Sequence, residues 1–296
     1  MENILESFLN NKVGSLVMAA GKGSRMKGFE GNKTLLPLVP GPTPFEGERP
    51  ILLHILRNLP PGPKALVVNH RKQDVIANTR DMELLYYEQP VLNGTGGALL
   101  AARAFIESEP MDQIIITMGD VPFVLNITYM HLINRLKDYA LVVLGFRPRD
   151  KKQYGALEIE GDLVKKIIEW KYWSAFPEEE QAQFGICNSG IYAAQRKELT
   201  HYLGRLENMP HRIKKERDGR TVEIEEFFIT DLVELMRADG LKVGYVVAEN
   251  EKEVMGLDDL QSLRAAQEYF KKLENPGPEE PGSQAKINGL SGAVPL

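Results

Sequence analysis

A single cysteine, Cys187, stands in 296 residues. It excludes an intrachain disulfide and any zinc site built from several thiolates, and it suits a reducing cytoplasm. No uninterrupted apolar run approaches the ~18–20 residues a membrane-spanning helix needs. The N-terminus, Met1-Glu2-Asn3-Ile4-Leu5-Glu6, lacks a basic segment followed by a long apolar stretch, so no secretory signal is expected. Excess positive charge is also missing. The formal net charge is -5, which argues against binding nucleic acid through bulk charge but leaves room for a local basic patch. No internal repeat is found, and in particular no hexapeptide β-helix pattern. Expected partners therefore include neither nucleic acid nor a membrane, and the oligomeric state stays open.

What is present looks like an ordinary globular enzyme. Strand-like and helix-like segments alternate through the first half. Leu16 to Ala20, Ala65 to Val68, Leu84 to Tyr87, Ile114 to Thr117 and Leu141 to Leu144 are short apolar runs that read as buried strands. Helical spacing covers Ile51 to Leu59, about Arg71 to Thr79, the Ala-rich Thr95 to Ser108, and Asn126 to Lys137. The expected fold class is α/β: a Rossmann-like, mostly parallel mixed sheet flanked by helices. Such sheets bind ligands beyond the carboxyl ends of their strands.

The second half is less regular. Ala156 to Val164 predicts a hairpin with a Gly161-Asp162 turn, and Lys165 to Trp170 continues its second strand. A strand over Ile186 to Ala193 and a helix over Gln195 to Leu203 follow. Residues 211–220 are so charged that a solvated loop is expected. A helix from Asp231 to Ala238, a strand from Val243 to Ala248 and a closing helix from Leu257 to Leu273 complete the chain. One domain over 1–274 is expected, in two halves at about 13–147 and about 148–265. Residues 1–12 read as a short helix or arm, and 275–296 as a flexible tail.

Directly after the first strand comes Ala19-Ala20-Gly21-Lys22-Gly23-Ser24-Arg25-Met26. Glycines let the backbone approach a phosphate and aim N–H groups at it. Lys22 and Arg25 add positive charge, and Arg25 can grip phosphate oxygens with two donors. The segment is not a Walker A loop, because Gly23 stands where Ser or Thr belongs, and Met26 spoils a dinucleotide-binding fingerprint. Together with Lys33-Thr34-Leu35-Leu36-Pro37-Leu38, it resembles the opening of the sugar-nucleotide pyrophosphorylase superfamily. The likeness is greatest to the uridylyltransferase domain of bifunctional N-acetylglucosamine-1-phosphate uridylyltransferase. That resemblance implies that Arg25 and Lys33 act on the triphosphate, with Ala19, Ala20, Gly21, Lys22 and Gly23 lining it. Asn32 replaces a usual proline, and the stretch between Leu38 and Pro50 is an extra Gly- and Pro-rich loop.

Further segments follow in the family's order. Gln89 lies five residues before Gly94-Thr95, which opens a helix. A glutamine amide suits the edge of a pyrimidine, and free N–H groups at a helix start suit phosphate; Thr95 could instead simply cap the helix. Gly97 stands where the family often has histidine. Asp120, in Gly119-Asp120-Val121-Pro122, is placed to hold Mg²⁺ through hard carboxylate oxygen. Asp258, in Val254-Met255-Gly256-Leu257-Asp258, takes the place of the family's asparagine as second metal ligand, or caps the last helix. Gly155, Glu169 and Asn188 match the family's sugar-side contacts, although Ala156 replaces a usual arginine. Glu226 to Asp231 matches a stretch read as mainly structural, with Thr230 or Asp231 as a cap.

The resemblance implies transfer of a nucleotide from an NTP, most simply UTP, to a sugar 1-phosphate such as N-acetylglucosamine 1-phosphate. The reaction would depend on Mg²⁺, release pyrophosphate and take place in the cytoplasm. Alternatives on the same fold are a molybdopterin guanylyltransferase-like or cytidylyltransferase-like enzyme, or a nucleotide-binding regulator without turnover. The attacking phosphate is already dianionic and needs no strong base. This agrees with five histidines, His54, His70, His131, His201 and His211, that lie outside every motif. With no β-helix repeat after residue 265, no acetyl-CoA chemistry is expected.

Overall fold

Strand β1 (Val13–Met18) is buried along its whole length, which explains why it reads as an unbroken apolar run. The structure, a computed structural model, describes residues 12–151, 153–217 and 220–275. The arm expected over 1–12 therefore lies outside the described residues except for Lys12, and the tail expected over 275–296 lies outside them beyond Asn275.

After β1 come β2 (Pro37–Pro40), β3 (Gly47–Pro50), α1 (Ile51–Asn58), β4 (Lys64–Val68), α2 (Lys72–Thr79) and β5 (Leu85–Glu88). Next are α3 (Gly94–Ala101), α4 (Arg103–Ser108), β6 (Gln113–Met118), α5 (Asn126–Arg135) and β7 (Leu141–Phe146). The second half contributes β8 (Ala156–Glu160), β9 (Leu163–Ile168), α6 (Trp170–Trp173), α7 (Glu178–Gln183), β10 (Cys187–Gln195) and α8 (Arg196–Glu207). It ends with β11 (His211–Arg217), β12 (Arg220–Glu226), α9 (Asp231–Ala238), β13 (Val243–Val247) and α10 (Leu260–Glu274). No described helix is long and apolar enough to cross a membrane.

The main sheet runs β13-β7-β10-β6-β1-β4-β5, with β8 paired to β10 and β9 paired to β8. Pairs β1·β4, β1·β6, β4·β5 and β7·β13 are parallel, while β10 is antiparallel to both β6 and β7. The mostly parallel mixed sheet expected from the sequence is thus present. Because β10 from the second half lies between β6 and β7 of the first, the two halves share one sheet. Side chains alternate between its faces. Val17, Leu66 and Ile115 pack with α1, α5 and α10, whereas Leu16, Val67 and Ile116 pack with α3, α4, α8 and α9. Truncating Leu16 or Ile115, both with no exposed surface, to alanine should cost ~2–5 kcal/mol.

Four local expectations change. The Ala-rich helix breaks at Ala102, whose N–H bonds to Leu99 O at 3.1 Å, a tighter turn than the α-helix makes. The second strand of the β8–β9 hairpin stops at Ile168, and Trp170 already begins α6. The extra stretch after Leu38 is a short β2–β3 hairpin, held to α10 by Gln267 Nε2, which donates to Pro37 O (2.9 Å) and Pro44 O (2.8 Å). The charged stretch from 211 is no loop. It forms the β11–β12 hairpin, in which Arg212 faces Glu225, Lys214 faces Glu223 and Ile213 faces Ile224. Opposite charges across the ladder support pairing, but composition alone hides that register.

Candidate active site

Strands β1 and β6 are parallel neighbours, with Met18 opposite Met118. The loops that follow therefore start side by side. Gly119 N donates to Met18 O at 2.9 Å, and a side chain there would meet Met18 O and Thr34 Cγ2 at 3.0 Å. This close approach places Asp120 against the glycine loop. The next two strands add their own ends: Ala19 N donates to Val67 O (2.8 Å) and Gln89 N to Val68 O (2.9 Å).

Asn32 explains the position of Lys33. It is buried. Its Nδ2 donates to His70 O (2.7 Å), and its Oδ1 accepts from Thr34 N (2.9 Å) and Thr34 Oγ1 (2.8 Å). An asparagine thus anchors the turn at the position where the family usually has proline. Lys33 Nζ then reaches Asp120 Oδ2 at 2.5 Å and Asp258 Oδ1 at 3.4 Å, and Arg25 lies 3.6 Å from Asp258 Oδ2. Burial pushes the Lys33 ammonium down, but Asp120 and Asp258 together outweigh it and hold the group above its ordinary value. Asp258 arrives from the far end of the chain, where Leu257 N donates to Asp120 O at 3.0 Å. Asp259, not Asp258, caps α10: its carboxylate accepts from Ser262 N in a capping box. The Asp258 side chain is therefore left to face Lys33 and Arg25.

A cleft of about 470 Å³ opens here. Ala19, Ala20, Gly21, Arg25 and Lys33 line one side, and Gln89, Gly94, Thr95 and Asp120 another. Lys22 and Gly23 are not among its lining residues. Gly23 has φ +62°, and a Cβ there would lie 3.0 Å from Lys33 Cβ, so it closes the loop over Lys33. Both amide protons of Gln89 are engaged, by Asn93 Oδ1 (3.0 Å) and Gly94 O (3.1 Å), which leaves the Oε1 acceptor for a ligand.

The start of α3 is docked rather than open. Gly96 N donates to Phe227 O (2.8 Å) and Phe227 N to Asn93 O (2.9 Å). Thr95 is inside the helix, and its hydroxyl accepts from Ile229 N at 3.2 Å instead of capping. Gly94 has φ +94°, and a Cβ there would come within 2.3 Å of Phe227 O. A Cβ on Gly97 would overlap Asn93 Oδ1 at 1.8 Å, so this backbone cannot take the family's histidine there without moving Asn93.

The sugar-side candidates gather nearby but outside that cleft. Asn188 N donates to Gly155 O at 2.8 Å. The Asn188 side chain is held by Tyr192 Oη (2.8 Å) and Gly190 N (3.0 Å). Glu169 lines a second cleft of about 250 Å³ with Thr230, Phe228, Tyr172 and His211. Thr230 takes the N-cap position of α9, but its Oγ1 lies 3.3 Å from Glu169 Oε1 and makes no cap bond. Burial raises the Glu169 carboxyl above its ordinary value, against the hydrogen bond from Thr230. A third cleft, about 600 Å³, is bordered by Arg25, Tyr154 and Asp258.

Sequence reasoning missed Glu226, Met118 and Thr34 as lining residues of the first cleft, and His211 of the second. Glu226 had a signal, since it opens the segment read as structural. Met118 had its place just before Gly119-Asp120. Among the described residues, no group of three or more His, Cys, Asp or Glu side chains gathers as a metal site. The Asp120–Asp258 pair is nevertheless already shared by one ammonium group. Two carboxylates suit Mg²⁺, which keeps waters and completes its shell with substrate phosphates.

Comparison with known proteins agrees with this geometry. The model of the MobA-like NTP transferase domain matches residues 15–183. The bifunctional protein GlmU of Sphingopyxis alaskensis is 33% identical over 265 residues, covering 88% of this chain and 52% of that protein. The chain thus spans about half the length of the curated relatives it matches. Among solved structures, the uridine diphosphate N-acetylglucosamine pyrophosphorylase of Trypanosoma brucei superposes with a TM-score of 0.71 at 10% identity, over 91% of this chain and 67% of that one. A nucleotidyl transferase from Methanothermobacter thermautotroptrophicus gives 0.56 at 19% identity, over 89% and 99%. At these identities, the two structures establish a shared fold.

Proposed function

The chain belongs to the MobA-like NTP transferase family, and on that premise we propose that it is a sugar-1-phosphate uridylyltransferase of the cytoplasm. The reaction is UTP plus a hexose 1-phosphate, foremost N-acetylglucosamine 1-phosphate, giving a UDP-sugar and pyrophosphate. The observation that carries this reading is one cleft in which Arg25, Lys33, Gln89 and Asp120 meet, with Asp258 joined through Lys33. The names of the curated relatives support it.

The residues divide the work. Gln89 Oε1 accepts the N3–H of uracil; cytosine presents a bare N3 acceptor there and is disfavoured. Arg25 and Lys33 neutralise the departing pyrophosphate, and the glycine loop brings backbone close to the triphosphate. Asp120 and Asp258 would hold Mg²⁺, which supplies charge neutralisation between the α-phosphate and the incoming phosphate. Gly155, Glu169 and Asn188 orient the sugar. Catalysis rests on alignment and charge, since the nucleophile is a phosphate that needs no deprotonation. His54 is no candidate base: it is packed edge-on against Phe123 and Phe270, and burial lowers it further.

A panel of UTP, CTP, GTP, ATP and dTTP crossed with hexose 1-phosphates, with Mg²⁺ and a pyrophosphate readout, tests this. UTP with N-acetylglucosamine 1-phosphate should lead, and CTP should trail. A clear preference for CTP, or no pyrophosphate from any pair alongside measurable NTP binding, would overturn it.

A further inference from the structure

The β11–β12 hairpin joins the body of the molecule at its base, where His211 and Glu226 are cross-strand partners. The two residues serve different clefts. Glu226 lines the cleft of Arg25, Gln89 and Asp120, whereas His211 lines the cleft of Glu169.

His211 is held from two directions. Its Nε2 lies 2.8 Å from Asp231 Oδ2, and its ring packs edge-on against Phe228 with centroids 4.9 Å apart. A carboxylate can only accept, so Nε2 carries a proton, and in the neutral tautomer Nδ1 is the acceptor left for a ligand. Asp231 is the first residue of α9, and its neighbour Thr230 bonds to Glu169. His211 and Glu169 are therefore each bonded to one of two adjacent residues at the start of one helix.

The rest of this cleft suits a polar ring with apolar faces. Phe228, Tyr172 and Phe176 form an aromatic wall. Lys171 Nζ lies over the Tyr172 and Phe228 rings, at 4.8 and 5.6 Å from their centroids. Lys166, Asp231 and Glu234 complete the charged lining.

We infer that His211 is a specificity-determining residue for the acceptor. Together with Glu169 it reads the polar substituents of the hexose 1-phosphate, with Nδ1 accepting from a hydroxyl or amide N–H of the sugar. This inference rests on the proposed uridylyl transfer and adds to it a residue that none of the motifs contains.

The test is acceptor kinetics of His211→Phe and His211→Gln at saturating UTP and Mg²⁺. The acceptors are hexose 1-phosphates that differ at one position, 2-acetamido, 2-hydroxyl and 2-deoxy. Phenylalanine keeps the ring packing on Phe228 and removes the acceptor atom. Glutamine keeps an N–H for Asp231 and carries an acceptor beside it. His211→Phe should raise the KM for the preferred acceptor about tenfold, the scale of one lost hydrogen bond, and flatten the ranking of the three. The KM for UTP should stay within about twofold, and His211→Gln should fall between wild type and His211→Phe. Equal shifts of both KM values, or an unchanged ranking in both folded variants, would overturn the assignment while leaving uridylyl transfer standing. No pyrophosphate from the wild type with any acceptor would remove both readings together.

Discussion

The two clefts are built on different principles. The cleft of Arg25, Gln89 and Asp120 sits at the carboxyl ends of four parallel strands, β1, β4, β5 and β6, and the loops after β1, β5 and β6 each leave with a backbone bond to a neighbouring strand. Its shape is set by backbone. Gly94, Gly96 and Gly119 all sit where a Cβ would strike main-chain atoms. The acceptor-side cleft is assembled from antiparallel β9, the short helix α6, a hairpin base and the start of α9. Its shape is set by side chains: Glu169 with Thr230, His211 with Asp231, and a wall of aromatic rings. On the proposed reading, the handling of a triphosphate falls to the backbone-built cleft. On the same reading, discrimination between acceptors falls where single substitutions can alter it.

That contrast can be broken in graded steps. Asp120→Ala should act most strongly, lowering kcat/KM by about 10³-fold or more through loss of a metal ligand, with far-UV circular dichroism unchanged. A folded Asp120→Ala protein with near-normal Mg²⁺-dependent turnover would remove Asp120 from the mechanism. Lys33→Met should cost about 10²-fold in turnover and leave Asp120 and Asp258 without their shared cation. Added Mg²⁺ should then raise its Tm more than it raises that of the wild type; equal shifts would show that the lysine does not occupy the cation position.

Backbone dependence can be compared directly with two glycines. Gly94→Ala combines φ +94° with a 2.3 Å clash against Phe227 O, and should cost ~3 kcal/mol. Gly155→Ala meets Ile167 Cγ2 at 3.1 Å and main chain no nearer than Ile168 O at 3.6 Å, and should stay within ~1 kcal/mol. Chemical denaturation gives both values, and equal costs would show that the backbone around Gly94 is no tighter than that around Gly155.

The smallest effect is a pH signature of Glu169. Burial raises its carboxyl above the ordinary 4.5, so the folded state keeps that proton to higher pH than the unfolded chain does. Between those two values the native state binds more protons, and stability falls as pH rises. Glu169→Gln should therefore melt with the wild type near pH 4 and above it at pH 7, while acceptor binding weakens. A Gln variant that is less stable than wild type at pH 7 would mean that Glu169 is a structural carboxylate rather than a retained functional one.

The nucleotide side was largely readable from the chain itself, because its signals are local. A glycine loop after a buried strand, Asp120 after another and Gln89 before a helix start each combine residue type with immediate context. The resemblance added their order. The charged hairpin was not readable in that way. Alternation of Arg212, Lys214 and Ile213 matters only once Glu225, Glu223 and Ile224 stand opposite, and that register is a pairwise property absent from a single strand. Of the two readings of Asp258, ligand or cap, the cap belongs to its neighbour, because Ser262 closes the box on Asp259.

Sequence alone determined that strands and helices alternate, that a basic glycine loop follows β1, and that carboxylates and cations exist in an order matching one superfamily. Those properties are local because apolar periodicity and turn chemistry act over a few residues. Only the tertiary structure decided that Lys33 holds Asp120 and Asp258 together across 225 residues of chain, that Gln89 has spent its amide protons, and that His211 lines the same cleft as Glu169. Each of these is a matter of distance in space. Parallel strands bring their carboxyl ends together whatever their separation along the chain, and packing then chooses which donors meet which acceptors.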